Sequence, residues 1–188
     1  TICSACPKGK YGETIGATSG DVCRECAAGF FAPSTGYTKC SMATPGTFCN
    51  DTGMAQPHSC PRGRYQSKTR QTSCVSCPRG RYQSEEGSAT CELCPSGKFL
   101  DAEGSTSIDN CLDCPPGSIG IEDGMSTCTP CGKDTYSASS GGEMCISCPT
   151  GKTTEGEGKN GTGIGAIGCV VEKAVSYTHL TLPTNREV

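Results

Sequence analysis

Cysteine returns along this chain at intervals that restrict the fold before any other residue is considered. Most cysteines come in CxxC pairs, with second members at 6, 26, 77, 94, 114, 131 and 148, and Cys60 keeps the same place although Pro57 stands where its first member would be. The cysteine opening the next pair follows after 17, 14, 14, 14, 17, 14, 14 and 21 residues, at 23, 40, 74, 91, 111, 128, 145 and 169. The step from 26 to 60 is twice 17, so a further unit is expected to start at position 43. Ala43 stands there, and Pro57 stands where that loop would close, so both cysteines are missing together. Other landmarks keep the register through the gap. Gly stands three residues after every start except at Asp134, and an aromatic stands five residues after every start except at Ile119 and Thr153. "CPRGRYQS" occurs twice in register, at Cys60–Ser67 and Cys77–Ser84. A fixed period of this length marks a repeat array.

The repeats divide as 1–22, 23–39, 40–56 (a variant lacking one bridge), 57–73, 74–90, 91–110, 111–127, 128–144 and 145–174, the last with a Gly-rich insertion. Residues 175–188 share none of this vocabulary. "VSYTHLTLPT" (Val175–Thr184) back-translates into a transposase adapter used in sequencing-library preparation, so a non-native tail, His179 included, is expected from Val175 onward. A genuine disordered tail is the alternative.

The joint loss at Ala43 and Pro57 selects a connectivity. If each second cysteine bonds the first cysteine of the following pair, one missing bond accounts for both substitutions. The bridges expected are Cys6–Cys23, Cys26–Cys40, Cys60–Cys74, Cys77–Cys91, Cys94–Cys111, Cys114–Cys128, Cys131–Cys145 and Cys148–Cys169. Cys3, whose partner would precede residue 1, and Cys49 stay unassigned. The opposite pairing strands Cys23 and Cys77 and leaves Cys6 unmatched. Closing a loop of ~15 residues is worth about 3 kcal/mol in chain entropy. Within each loop Pro limits the chain after the bridge, Gly permits a tight turn and the aromatic covers the disulfide. The fold class expected is small disulfide-rich repeats: an elongated rod of tandem loops with little regular secondary structure and short β-hairpins at most.

Composition agrees. Eighteen of 188 residues are cysteine, Trp is absent, and of the 34% hydrophobic residues more than a quarter is cysteine itself. A chain so poor in large apolar side chains depends on covalent staples rather than one core. Such cysteine density belongs in an oxidising compartment, and the chain begins inside a repeat, so an export signal is expected upstream. The net charge of −3 exerts no global pull on nucleic acid or anionic membrane, and no apolar run is long enough to span a bilayer.

With its CxxCPxGxYxxxxGxxxC pattern the chain resembles the ephrin-receptor-like cysteine-rich repeat, related to tumour-necrosis-factor-receptor and growth-factor-receptor cysteine-rich modules. "CPRGRYQSEEGSATCELCPSGKF" (Cys77–Phe99) carries the resemblance best, and it extends over about Cys3–Cys169. "CSMATPGTFCNDTGMAQPHSCPRGRY" (Cys40–Tyr65) resembles the family's variant unit with a cysteine after the aromatic, here Cys49. The resemblance implies an extracellular disulfide-bonded module within a larger secreted or single-pass surface protein. It implies no kinase activity, since no kinase motif is present.

Candidate sites stand against simpler readings. The CxxC spacing is close to that of a zinc ribbon, but zinc would consume pairs two at a time, against a period of one unit, so no metal site and no cofactor is expected. A redox CxxC lacks its βαβ context. Cys49 is open to intermolecular pairing, to a bond with Cys3, or to a bond with Cys60 or Cys40 in a rearranged unit. Asn50 and Asn160 open N-x-[ST] sequons, candidates for glycosylation. Arg62, Arg64, Lys68, Arg70, Arg79 and Arg81 precede the next acid, Glu85, and form a candidate binding face for sulfated glycans or an acidic partner. A solvated polar face is the simpler reading. His58 would need an unbonded Cys60 to form a nucleophilic pair, and "GTGIGAIG" (Gly161–Gly168) reads as a flexible insertion rather than a phosphate loop, so no enzyme is expected. The function expected is a structural and protein-interaction spacer in a secreted or cell-surface protein. Its partners would be other extracellular proteins or domains of the same chain, with no nucleic acid and no membrane contact. A ligand- or sulfated-glycan-binding ectodomain using the basic face of repeats 4 and 5 is the alternative, and an intracellular zinc scaffold the outside one.

Overall fold

The computed structural model describes residues 5–12, 23–154 and 163–171; Cys3, Asn160 and the chain from 172 onward lie outside the described residues. Positions are counted here from the second cysteine of each repeat, so that Cys26 is 0 and Gly29 is +3 in repeat 2. Every repeat opens with a tight turn in which the +4 amide donates to the +1 carbonyl, from Lys10 on Pro7 to Lys152 on Pro149. The third residue of that turn has positive φ, as in Gly80 at 77° and Gly117 at 82°. Glycine meets that demand without a steric cost. Asp134, the one non-glycine at +3, adopts the same conformation at φ 62°.

The turn delivers residues +4 and +5 into a two-residue antiparallel ladder with the dipeptide between the cysteines of the next CxxC. Lys10–Tyr11 pairs with Arg24–Glu25, Arg64–Tyr65 with Val75–Ser76, Arg81–Tyr82 with Glu92–Leu93, and Lys98–Phe99 with Leu112–Asp113. Strands this short carry little stability alone. Every ladder but Thr47–Phe48 with His58–Ser59, in the variant repeat, flanks a disulfide of its own: Cys6–Cys23, Cys26–Cys40, Cys60–Cys74, Cys77–Cys91, Cys94–Cys111, Cys114–Cys128, Cys131–Cys145 and Cys148–Cys169, with Cα–Cα distances of 5.5–5.9 Å. The CxxC spacer is therefore a strand as well as a link. No α-helix occurs among the described residues.

Neighbouring repeats are joined by a recurring set of four backbone hydrogen bonds. Between repeats 5 and 6, Gly80 N donates to Leu100 O, Gln83 N to Ser105 O, Cys94 N to Gly80 O and Gly104 N to Cys77 O. The variant repeat keeps the whole set on both sides. Gly29, Ala32, Ala43 and Gly53 donate across its boundary with repeat 2, and Gly46, Cys49, Cys60 and Arg70 across its boundary with repeat 4. The stack also has a second-neighbour contact. A Cβ on Gly9, Gly46, Gly80 or Gly117 would lie 1.9–2.0 Å from the carbonyl oxygen of Gly53, Gly87, Gly124 or Gly165, two repeats further on. The +3 glycine thus does two things: it permits the turn and lets the backbone of the next repeat but one come close. The result is a one-dimensional array whose parts see only near neighbours.

The core runs as a thin line through the stack. Cys26, Cys60, Cys77, Cys94, Cys114 and Cys131, all at position 0, are fully buried. Position +6 is buried as well, held by Ala32, Cys49, Gln66, Gln83, Leu100, Gly120, Ser137 and Thr154 in repeats 2 to 9. The two glutamines pay no unsatisfied-polar penalty: Gln66 and Gln83 donate Nε2 to the carbonyls of Ser73 and Thr90, each at 2.8 Å. Burial of a polar group costs little once it is paired. Tyr82 packs with Cys94, Leu100 and Cys111. The aromatic of repeat 5 thereby covers the bridge of repeat 6, not its own.

Irregular loops keep the same frame. The three extra residues of repeat 6 form a 3-10 turn, Ile108–Asn110, whose capping box joins Ser107 and Asn110. In repeat 9 the described part of the Gly-rich stretch corrects the expectation of a flexible insertion. Gly165 N donates to Cys131 O, Ser137 N donates to Ala166 O, and Ala166 is fully buried. Gly163–Gly168 is the regular closing turn of the loop, because Gly165 precedes Cys169 by the usual four residues.

Candidate functional site

Repeat 3 holds the one free thiol among the described cysteines, Cys49. Cys40 and Cys60, each considered above as its partner, are bonded to Cys26 and Cys74. Cys49 instead fills +6, with its backbone in the hydrogen bonds common to that position: Gly29 N donates to its carbonyl and its own amide donates to Gln71. Burial pushes its thiol above the usual range, so it is a packing residue rather than a nucleophile. The signal lay in the register: counted from Ala43, Cys49 aligns with Ala32 and Gln66, not with any bridging position.

The other singled-out residues fall into place around the array. His58 is exposed, pairs across its ladder with Phe48 at a ring separation of 5.4 Å, and precedes a disulfide-bonded Cys60. Asn50 is exposed at the start of a turn, donating to Asp51. No group of three or more His, Cys, Asp or Glu side chains that would hold a metal occurs among the described residues. Near the end of the described stack, Asp134 receives hydrogen bonds from Thr153 Oγ1 at 2.6 Å and from the Thr154 amide, which with Lys133 nearby lower its pKa despite some desolvation. The Tyr82 hydroxyl donates to Glu92 at 2.8 Å; this bond, with burial and the carboxylate charge, raises its pKa.

The six cations of repeats 4 and 5 are all exposed, yet they do not form one group. Arg70 stands at +10, where most repeats have glycine, with φ 61°. Its guanidinium turns back onto repeat 2, where it lies 5.5 Å over the Phe30 ring and donates Nε to Met42 Sδ at 2.8 Å. Arg64 and Arg81, both at +4, adopt one pose: each donates Nη1 to the carbonyl of the cysteine that closes its own loop, Cys74 or Cys91, at 3.3 and 3.4 Å. A shallow groove of about 330 Å³ lies between their repeats, lined by Tyr65, Ser67, Arg81 and Thr90 among others.

A family model described as tyrosine-protein kinase ephrin type A/B receptor-like matches residues 46–81, 67–111 and 119–161, more than half of the chain. Comparison with the curated proteins returns no match.

Proposed function

The chain belongs to the ephrin type A/B receptor-like family of cysteine-rich repeats, and from that premise we propose that it is an extracellular spacer, a disulfide-stapled rod that sets the distance between other domains and offers its sides to partners. The observation that carries this reading is the one-dimensional bonding. Every repeat rests on its neighbours through the same set of bonds, so length grows with repeat number while the cross-section stays constant. Four backbone bonds form at each boundary except that between repeats 8 and 9, where the Asp134 amide donates to Thr154 Oγ1 instead. Dense disulfides favour an oxidising, extracellular setting. None of the helices described is long and apolar enough to cross a membrane. The exposed sequon at Asn50 would carry a glycan outward from the rod.

Small-angle scattering tests it. The oxidised chain should give a radius of gyration well above the ~16 Å of a compact globule of this length. Deleting residues 74–110 leaves Cys60 and Cys111 14 residues apart, the spacing of a regular loop. That deletion should shorten the maximum dimension and leave the cross-sectional radius unchanged. A compact radius, or a deletion that thins the particle rather than shortening it, contradicts the spacer.

A further inference from the structure

Cations at +4 are treated in two different ways along the rod. Lys10 in repeat 1 and Lys98 in repeat 6 face an acid across their ladders, Glu25 and Asp113, and both form ion pairs. Arg64 and Arg81 occupy the same position in repeats 4 and 5, but their cross-strand neighbours are Ser76 and Leu93. Neither has an ion-pair partner among the described residues, nor do Arg62 and Arg79 at +2. From Arg62 to Ser84 the chain carries six cations and no carboxylate, within a protein of net charge −3. The array therefore neutralises this position internally in repeats 1 and 6. Among the described residues it leaves it uncompensated in repeats 4, 5 and 9, where Lys152 faces Val171; only in repeats 4 and 5 do two such cations stand in consecutive repeats.

We propose that the sides of repeats 4 and 5 bind a sulfated polysaccharide, with Arg64 and Arg81 as paired sulfate ligands and Arg62 and Arg79 extending the track. The matched hydrogen bonds to Cys74 and Cys91 hold the two guanidiniums in the same orientation one repeat apart, with donors left over for sulfate oxygens. A linear polyanion with charges at intervals suits cations repeated along a rod better than a peptide does, because the groove between them is shallow and half polar rather than a deep apolar pocket. Nucleic acid is disfavoured: single-strand binding uses exposed aromatic faces, whereas Tyr82 is buried and Tyr65 half-buried. Arg70 is not part of the track, being held on Phe30 and Met42. The inference rests on the extracellular reading above, since that is where sulfated glycans are met.

The test uses the full oxidised chain, heparin as probe and hyaluronan as the unsulfated polyanion, with titrations at several salt concentrations. The expected result is heparin binding that weakens steeply with salt, weak or absent hyaluronan binding, and an affinity loss of about tenfold or more in the Arg64→Gln/Arg81→Gln double variant. Lys98→Gln should change little. Equal binding to hyaluronan, no heparin binding at low salt, or an oxidised double variant with undiminished binding would each overturn the proposal. So would salt-sensitive dimerisation lost in the same variant without heparin binding, which would instead assign the face to the acidic stretch from Glu85 to Asp123 of a second copy. Non-reduced mass on the same samples keeps the two levels apart. A fully bridged chain that ignores heparin fails here alone, whereas one with free CxxC thiols fails the extracellular reading first.

Discussion

Gly80→Ala should be among the most damaging single substitutions in the chain, although it adds one methyl group. Two costs coincide. Gly80 has φ 77°, a conformation that costs an L-residue roughly 1–2 kcal/mol. Its new Cβ would also stand 1.9 Å from the Gly124 carbonyl oxygen. That carbonyl belongs to backbone held on both sides, by the Gly124 amide donating to Cys94 O at 2.7 Å and by Met125 O accepting from Leu100 N at 3.0 Å, so it cannot swing aside as a side-chain end would. Overpacking of this kind adds about 1–3 kcal/mol, for a total loss on the order of 3 kcal/mol. Because the array is one-dimensional, the loss should be local, and hydrogen exchange reads it better than a global unfolding curve. Amides of Leu100, Gly104 and Gly124 should lose protection, while those of Ala32 and Ala43 keep theirs. Gly132→Ala is the control: no atom lies within 4 Å of its Cβ, so it should fall within about 0.5 kcal/mol of the parent. Gly151 has open space but φ 77°, so its alanine variant should pay only the conformational cost.

Removing the bridge of repeat 6 through Cys94→Ala with Cys111→Ala should destabilise that repeat by about 3 kcal/mol, the chain entropy released by opening a loop with a separation of 17. The loss of two buried sulfurs beneath Tyr82 and Leu100 adds to it. The reverse change is available in repeat 3. Its backbone bonds to both neighbours are complete without a disulfide, and Ala43 is as buried as the cysteines at that position elsewhere. Ala43→Cys with Pro57→Cys should therefore oxidise to a ninth bridge and stabilise repeat 3 by up to about 3 kcal/mol. Peptide mapping should place the new bond between 43 and 57, with Cys49 still reduced. Capture of either new cysteine by Cys49 would mean that repeat 3 is not built on the common frame.

The fold class was legible because cysteine, glycine and aromatic positions are each demanded by local geometry: a bridge, a positive φ, a side chain over sulfur. What crosses between repeats was not. Nothing in the spacing indicates that the +3 glycine faces a carbonyl two repeats away, because contact at that distance depends on how successive repeats turn relative to one another. Asp134 shows the point. In the sequence it is only the one exception to glycine at +3, yet it keeps the glycine-like φ and uses its carboxylate on Thr153 and Thr154. Cys49 was left unassigned because its residue type drew attention to bonding, whereas its position places it with Ala32 and Gln66. The six-cation stretch was visible in one dimension, but its division into Arg70 on repeat 2 and the Arg64/Arg81 pair depends on side-chain direction.

The central claim is that each loop is closed locally and that the variant repeat stands without a bridge. Peptide-level disulfide mapping of the oxidised chain tests it, with thiol alkylation before and after unfolding. The account predicts bonds only between each second cysteine and the first cysteine of the next pair, from Cys6–Cys23 to Cys148–Cys169, with Cys49 alkylated only once the chain is unfolded. A bond from Cys49 to Cys40 or Cys60, or bridges that skip a repeat, would contradict it.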